Sequence, residues 1–355
     1  MPVYKNKKRG TWYTSFYYTN WKGVRKRKKK EGFTRKRMAQ LFEKEFLEQN
    51  TNQCDIKFDT LVKIYLDDCK LRLKPSTYEN RRTIINKFFL NYFKELRINK
   101  ITPAIVRHWQ SDILNNNKDK SPLYLHDINI KLSTIFNFAV KYYNLTSNPV
   151  KQCGNIGTTK NKDLNFWTLR EYNTFISKLN TDDPFYLIFN ILFWTGIRRG
   201  ELLALSPNDF NLKNSTVYIQ KNLVYIGNKG YIGTPKTRKS IRKIFLPKFL
   251  CNMIKIFIEK NNIENNTFMF NIKPITLARK LKFYAKEAKI KHIRIHDIRH
   301  SHASLLIEQG CAPLIIAERL GHESIQTTLK IYAHLYPNKQ IEIAKKLDDL
   351  YKNIK

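Results

Sequence analysis

Six side chains in the second half of this 355-residue sequence are of the types needed to cut and reseal a phosphodiester: Arg198, Lys236, His296, Arg299, His322 and Tyr332. Two arginines can each form a two-point hydrogen bond to a phosphate and hold the charge that builds as phosphorus becomes five-coordinate. A tyrosine can attack phosphorus to give a covalent intermediate. A lysine of tuned pKa can protonate a leaving oxygen, and a histidine can take or share a proton. The set predicts attack of Tyr332 on a DNA phosphodiester, leaving a phosphotyrosyl bond that keeps the energy for religation. Cations of the protein take the place of a metal, so neither metal nor other cofactor is expected, and clustered carboxylates of the two-metal nuclease kind are missing from the sequence.

Each residue alone has a plainer reading. A surface arginine such as Arg198 is usually structural, Lys236 a solvated lysine, His300 and His322 helix-end or core residues, and Tyr332 a packing partner of Leu329 and Leu335. The order and the local contexts carry the reading. Arg198 lies between Gly196 and Gly200, where one helix ends and another begins. Lys236 falls in Thr234–Thr237, expected at the tip of a β-hairpin flanked by Tyr231-Ile232 and Ile241 to Leu246. His296 and Arg299 are spaced i, i+3, so a helix start puts both on one face. His322 follows Leu320-Gly321 at a loop-to-helix junction, and Tyr332 sits on an apparent helix.

These residues must be held by folded elements, and the chain reads as three modules. Residues 1–52 form a small strand-plus-helix module. In Thr11 to Thr19 the residues Trp12, Phe16 and Tyr18 share one strand face, and Tyr13 and Tyr17 the other. After the turn Asn20 to Gly23 a basic strand follows, Arg25, Lys26, Arg27, Lys28, Lys29 and Lys30, the candidate DNA-contacting residues. Gly32 is expected to break that strand and Thr34 to cap a helix carrying Met38, Leu41, Phe42 and Phe46. Residues 53–151 read as four or five helices. Phe58, Leu61, Val62, Tyr65 and Leu66 make one apolar stripe, Ser76 is read as a cap after Pro75, and Thr102-Pro103 opens a further helix. Residues 152–164, rich in Gly, Thr and Asn, read as a linker, and 165–355 as a mixed domain of helices, a strand-rich stretch from Thr216 to Leu246, and closing helices.

The net charge of +36, from 65 basic and 29 acidic residues, calls for a polyanionic partner. The apolar run Phe185 to Trp194 is too short to span a membrane. The basic N-terminus is followed by no signal-peptide core, so a soluble cytosolic protein is expected. Five scattered cysteines, Cys54, Cys69, Cys153, Cys251 and Cys311, form no C-x-x-C pair and suggest neither a disulfide framework nor a zinc site.

The stretch Ile293 to His334, IRIHDIRHSHASLLIEQGCAPLIIAERLGHESIQTTLKIYAH, resembles the signature of the tyrosine recombinase (phage integrase) family. TGIRRGELLALSPNDF, from Thr195, resembles its first arginine box, and TPKTRKSIRKIFLP, from Thr234, its lysine segment. The resemblance implies a phosphate clamp of Arg198 and Arg299, protonation of the 5′ oxygen by Lys236, and proton transfer by His296. It also implies a phosphate hydrogen bond from His322, nucleophilic attack by Tyr332, and Glu201 orienting the first arginine. His300 and Asp297 fall at supporting or packing positions. Ile298 stands where the family often has leucine, and keeps the apolar side chain. The implied fold is a small α+β arm-binding module, an all-α SAM-like core-binding domain, and a mainly helical catalytic domain with a small antiparallel sheet. The implied role is integration or recombination of a phage or conjugative transposon, in the cytoplasm of a bacterial host and associated with its nucleoid. The implied partners are double-stranded attachment sites, a homotetramer in the synapse, an excisionase and a DNA-bending host factor. A resolvase or invertase working without arm sites, a catalytically silent DNA-binding regulator, and a relaxing topoisomerase that uses the same cut-and-reseal chemistry are the other readings. Ile341, Ile343, Ala344, Leu347 and Leu350 are at helical spacing, which fits a tail packed on its own core and equally one docked in a neighbouring subunit.

Overall fold

A computed structural model describes residues 3–6, 10–19, 25–51, 55–158, 165–227, 229–233, 235, 238–335, 344, 347–349 and 351–352; at 19, 45, 48–51, 238, 330 and 332–335 it describes the backbone alone. Lys236 therefore lies outside the described residues, as does the turn Asn20 to Gly23. The chain divides into two compact units, Met1–Asn161 and Lys162–Lys355.

The first unit opens with an antiparallel sheet of β1 (Val3–Asn6), β2 (Thr11–Thr19) and β3 (Arg25–Phe33), in that order, followed by α1 (Lys36–Thr51). Strand alternation sends Thr14, Phe16 and Tyr18 toward α1, where Phe16 and Tyr18 meet Phe46, and buried Thr14 Oγ1 donates to Glu43 Oε2 at 2.8 Å. Gly32 does not end the strand as expected. It lies inside β3 at φ +92°, where the register slips between Trp12 and Thr14 and a bulge absorbs the extra residue. The helix face is also rotated from its expected place: Ala39 and Glu43 are buried, whereas Met38 and Leu41 are about half exposed. Thr34 turns its hydroxyl to Met38 Sδ.

A helical core follows, built from α2 (Phe58–Arg72), α3 (Pro75–Ile85), α4 (Asn91–Phe93), α5 (Pro103–Asn116), α6 (Pro122–Tyr142) and α7 (Pro149–Cys153). A wide helical turn, Asn86–Leu90, joins α3 to α4. Phe58, Phe93, Trp109 and Phe136 are its centre, and Trp109 Nε1 donates to Phe88 O at 3.0 Å. Thr102, Ser121 and Asn148 cap α5, α6 and α7, each with a proline in the first turn. Ser76 is not a cap. Pro75, with its fixed φ, takes the first helical position and moves the cap back to Lys74. The start of the stretch read as a linker packs on this core. Gln110 Nε2 donates to Asn129 Oδ1 and Gly154 O, both at 2.9 Å, Asn129 Nδ2 donates to Asn155 Oδ1 at 3.0 Å, and Ile156 is buried.

The second unit is mainly helical. A capping box of Thr168 and Glu171 starts α8 (Leu169–Ile176), and Asp183 caps α9 (Pro184–Thr195). Nine of the twelve α9 residues are buried, so it is the central helix of the core, and a Phe189→Ala or Phe193→Ala change there carries a cost of about 3–5 kcal/mol. The short α10 (Arg199–Leu202) leads to β4 (Phe210–Asn211), β5 (Thr216–Ile219), β6 (Asn222–Ile226), β7 (Lys229–Gly233) and β8 (Arg242–Phe245). The strands flanking the lysine segment do not pair with one another, contrary to the expected hairpin. β7 pairs with β6, and β8 joins β5 in the sheet β4-β5-β8. β7 and β8 therefore belong to different sheets. The helices α11 (Lys248–Lys260), α12 (Pro274–Glu287), α13 (Asp297–Glu308), α14 (Pro313–Leu320) and α15 (Ile325–Leu335) complete the described elements. Ala303, Ile307, Ile316, Leu320 and Ile331 pack α13, α14 and α15 together. No helix among the described residues is long and apolar enough to cross a membrane.

Candidate active site

Two helix ends build the site. α9 stops at Gly196 (φ +65°) and α14 at Gly321 (φ +68°), both left-handed. A Cβ at 196 would stand 2.5 Å from Leu320 Cδ2, and one at 321 would stand 2.8 Å from Lys239 O, so the close approach of these ends requires glycine. Helix C-termini present unpaired carbonyls with partial negative charge. Two guanidinium groups answer them. Arg299, 3% exposed, donates from Nη1 to Gly196 O at 2.8 Å and from Nη2 to Leu320 O. Arg198, a third exposed, donates from Nη2 to Gly321 O at 3.0 Å and from Nη1 to Glu201 Oε1 at 2.8 Å and Ser240 Oγ at 3.3 Å.

Glu201 is 2% exposed and faces two cations. Arg198 gives it a backbone N–H at 2.9 Å as well as the guanidinium, and Arg242 gives it Nη1 at 3.2 Å and Nη2 at 3.0 Å. Burial alone would raise the carboxyl pKa. The hydrogen bonds and charge of Arg242, then of Arg198, outweigh burial and hold it below its usual value. With Arg299 close by, three guanidinium groups gather around one carboxylate, and the site is cationic.

His296 stands at the start of α13 with an exposed edge, and His300 lies one turn on, their rings perpendicular at 5.3 Å. His322 Nδ1 shares a hydrogen bond with Thr328 Oγ1 at 2.8 Å. All three are pushed toward the neutral form. Desolvation comes first for each; His296 falls to about 4 with His300 and Arg299 adding to it, and His322 to about 3 with Arg299 and Arg198 adding. Arg299 is itself lowered by burial and then by Arg198 and Arg242. Every one of these costs would be relieved by an anion. Neutral imidazoles beside fixed guanidinium groups can accept a proton or donate one hydrogen bond, as phosphoryl chemistry demands.

Of the expected residues, Arg198, Glu201, His296, Arg299, His300 and His322 meet in this cluster, as the charges felt by His322 register. Tyr332 is placed by its backbone alone, on α15 one turn after Thr328. Arg25 to Lys30 lie on β3 of the other unit. Sequence reasoning missed Arg242, Ser240 and Thr328, and also Arg319. Arg319 ties α14 to His302 Nε2, Phe245 O and Trp194 O, each at 3.1 Å. Nothing in local sequence separates Arg242 or Arg319 from other basic residues, because their burial exists only in the tertiary fold.

Comparison with known proteins gives three family matches: the phage integrase family over residues 165–339, the phage integrase N-terminal SAM-like domain over 57–114, and an arm DNA-binding domain over 2–49. The chain is 34% identical over 355 residues to the ICEBs1 integrase of Bacillus subtilis, spanning 95% of this chain and 96% of that relative. It is 26% identical over 316 residues to the integrase of a Staphylococcus phage, spanning 78% and 88%. In fold it is similar to a Tn1549 transposon integrase in complex with transposon right end DNA, with a TM-score of 0.66 and 20% identity over 81% of this chain and 99% of that one.

Proposed function

The chain belongs to the phage integrase family of tyrosine recombinases, which cleave and rejoin DNA, and on that premise we propose a site-specific integrase of a mobile element whose nucleophile is Tyr332. The Tyr332 oxygen attacks the scissile phosphorus, its proton passes to neutral His296, and a P–O bond to the tyrosine replaces the P–O bond to the 5′ oxygen. Lys236 protonates that leaving oxygen. Arg198 and Arg299 hold the non-bridging oxygens, and His322 donates a further hydrogen bond. Attack by the 5′ hydroxyl of a partner strand reverses the step, returns the proton to tyrosine and rejoins DNA in a new connection. The observation that carries this reading is the pair of guanidinium groups fixed on the ends of α9 and α14 beside neutral His296 and His322. Preorganised donors of this kind stabilise charge where it develops.

The proposal extends to the whole chain. Residues 1–52 hold arm sites, 53–151 grip the core site, 152–164 link, and 165–355 cleave. The working assembly is a homotetramer on double-stranded attachment DNA in the bacterial cytoplasm, at the nucleoid, with an excisionase and a DNA-bending host factor setting direction. Incubation of the full chain with nicked duplexes tests the core of it. Wild type should trap a covalent protein–DNA adduct whose attached nucleotide carries a 3′ phosphate on Tyr332, and Tyr332→Phe should trap none. An adduct from Tyr332→Phe sinks the mechanism, and its absence from wild type favours the silent regulator.

A further inference from the structure

Arg242 and Arg299 are the two arginines in the buried set among the described residues, and Arg242 has no part in the reaction proposed above. All three nitrogens of its guanidinium donate to protein. Nε donates to Arg319 O at 2.7 Å, Nη1 to Ser240 O at 2.9 Å and Glu201 Oε1 at 3.2 Å, and Nη2 to Glu201 Oε2 at 3.0 Å. Arg242 therefore meets both oxygens of Glu201, the carboxylate that also binds Arg198.

The arrangement has a consequence for Arg198. A carboxylate with both oxygens open can take an arginine in a two-point pair, which turns the guanidinium fork inward. With Arg242 on both Glu201 oxygens, the guanidinium of Arg198 reaches the carboxylate through Nη1 alone, beside the backbone N–H of the same residue. Its Nε–H and second Nη2–H have no acceptor among the described residues, and they form the edge of the guanidinium suited to two phosphate oxygens. Arg242 also pins the foot of the lysine segment. Its bonds to Ser240 O and Arg319 O fasten residues 240–242 to the end of α14, beside the Gly321 carbonyl that holds Arg198.

We propose that Arg242 is a positioning residue of the cleavage reaction, acting through Glu201 to keep the phosphate-facing edge of Arg198 free and through Ser240 and Arg319 to fix residues 240–242 against the end of α14. The proposal rests on the reading of Arg198 as a phosphate ligand. Lysine at this position would keep the buried positive charge but reach Glu201 as a point charge without the planar fork.

The test uses the full chain, nicked duplexes carrying the core sequence recovered from wild-type adducts, and a matched set in which a methyl group replaces one non-bridging oxygen of the scissile phosphate. The methylphosphonate is uncharged and has less need of Arg198. Arg242→Lys, which cannot keep every bond of the planar fork, should unfold below the wild-type temperature but stay folded under the assay conditions, and should bind the duplex as wild type does. It should cleave the phosphodiester about a hundred-fold more slowly, the scale of loss set by a misaligned group. It should cleave the methylphosphonate at nearly the wild-type rate, and should add no further loss to Arg198→Lys in a double-mutant cycle. Arg242→Met, which removes the charge, tests the same chain where it folds. Wild-type cleavage by Arg242→Lys overturns the proposal, and so does an equal loss on both duplexes that adds to that of Arg198→Lys. Wild type that cleaves neither duplex overturns the underlying reading of the site, and this inference falls with it.

Discussion

Arg299 and Arg198 are proposed for one task but are held at different depths, which separates the effects of losing them. Arg299 is buried on two helix-end carbonyls. Arg299→Ala leaves both unpaired, and should lower stability by about 1–3 kcal/mol, read by urea unfolding. Arg198 is a third exposed, and Arg242 still answers Glu201 in its absence, so Arg198→Ala should lower stability less. Both should slow adduct formation by at least about a hundred-fold while DNA binding persists. Loss of binding alone would mark them as docking residues. His302 supplies a second test. It is 2% exposed, and burial, ahead of the nearby Arg319, lowers it to about 3. A histidine depressed in the folded state takes up protons on unfolding, so stability is intact above the unfolded value near 6.5 and falls as pH drops toward the folded one. The slope is up to about 1.4 kcal/mol per pH unit for such a group. His302→Gln keeps an acceptor for Arg319 and should flatten that acid limb between pH 6.5 and 4. An unchanged slope would show that other groups set it. The i, i+3 pair His296 and Arg299 was legible in sequence because a helix start converts spacing into a shared face. Arg242 was not, being one of 65 basic residues distinguished by burial alone.

At the scale of the element, β3 divides a basic run that looks uniform in sequence. Register pairs Arg27 with Tyr17 and Lys29 with Ser15, on the face away from α1, where Arg25 lies over Tyr17 at 4.7 Å and Lys29 over Tyr13 at 5.0 Å. Lys26, Lys28 and Lys30 pair with Tyr18, Phe16 and Thr14 on the helix side. There Lys28 covers Phe46 at 5.5 Å and Lys30 covers Phe42 at 4.3 Å. Changing Arg25, Arg27 and Lys29 together to glutamine should weaken arm-site binding and lower its salt slope by about 0.9 for each phosphate left without its cation. The same change at Lys26, Lys28 and Lys30 should act more on the stability of the module, because Lys28 and Lys30 stack on rings of α1 and so help join sheet to helix, at about 0.5–1 kcal/mol each, whereas Arg25 and Lys29 stack on rings of their own sheet. Fluorescence titration at several salt concentrations reads the first effect, and equal slopes for the two triple variants would sink the division. Alternation was readable from TWYTSFYYT. The bulge at Gly32 and the separation of β7 from β8 were not, because strand pairing is a tertiary choice that local pattern leaves open.

At the scale of the molecule, the charge of +36 is unevenly spread: the first fifty residues hold 15 basic and 4 acidic side chains, the last fifty-five hold 7 and 6. Those last residues, which include His322 and Tyr332, are thus nearly neutral, and Arg198, Arg242 and Arg299 precede them in a stretch, residues 165–355, that holds 31 basic and 15 acidic side chains in all. The sheet module before Thr51 has its own small core in Phe16, Ala39, Phe42 and Phe46, while the buried helical core takes no residue before Phe58. Removing residues 1–52 should therefore leave the helical core and the second unit folded, with an unchanged thermal transition for each. It should also reduce the salt slope of binding to long DNA by more than any single substitution, because it removes the densest charge. Cleavage of a short core duplex should survive, since none of Arg198, Lys236, His296, Arg299, His322 and Tyr332 lies in the deleted part. Recombination that requires distal sites should be abolished. Undiminished recombination between such sites would show that the module does not hold them, and the chain would then act as a resolvase or invertase working on core DNA alone.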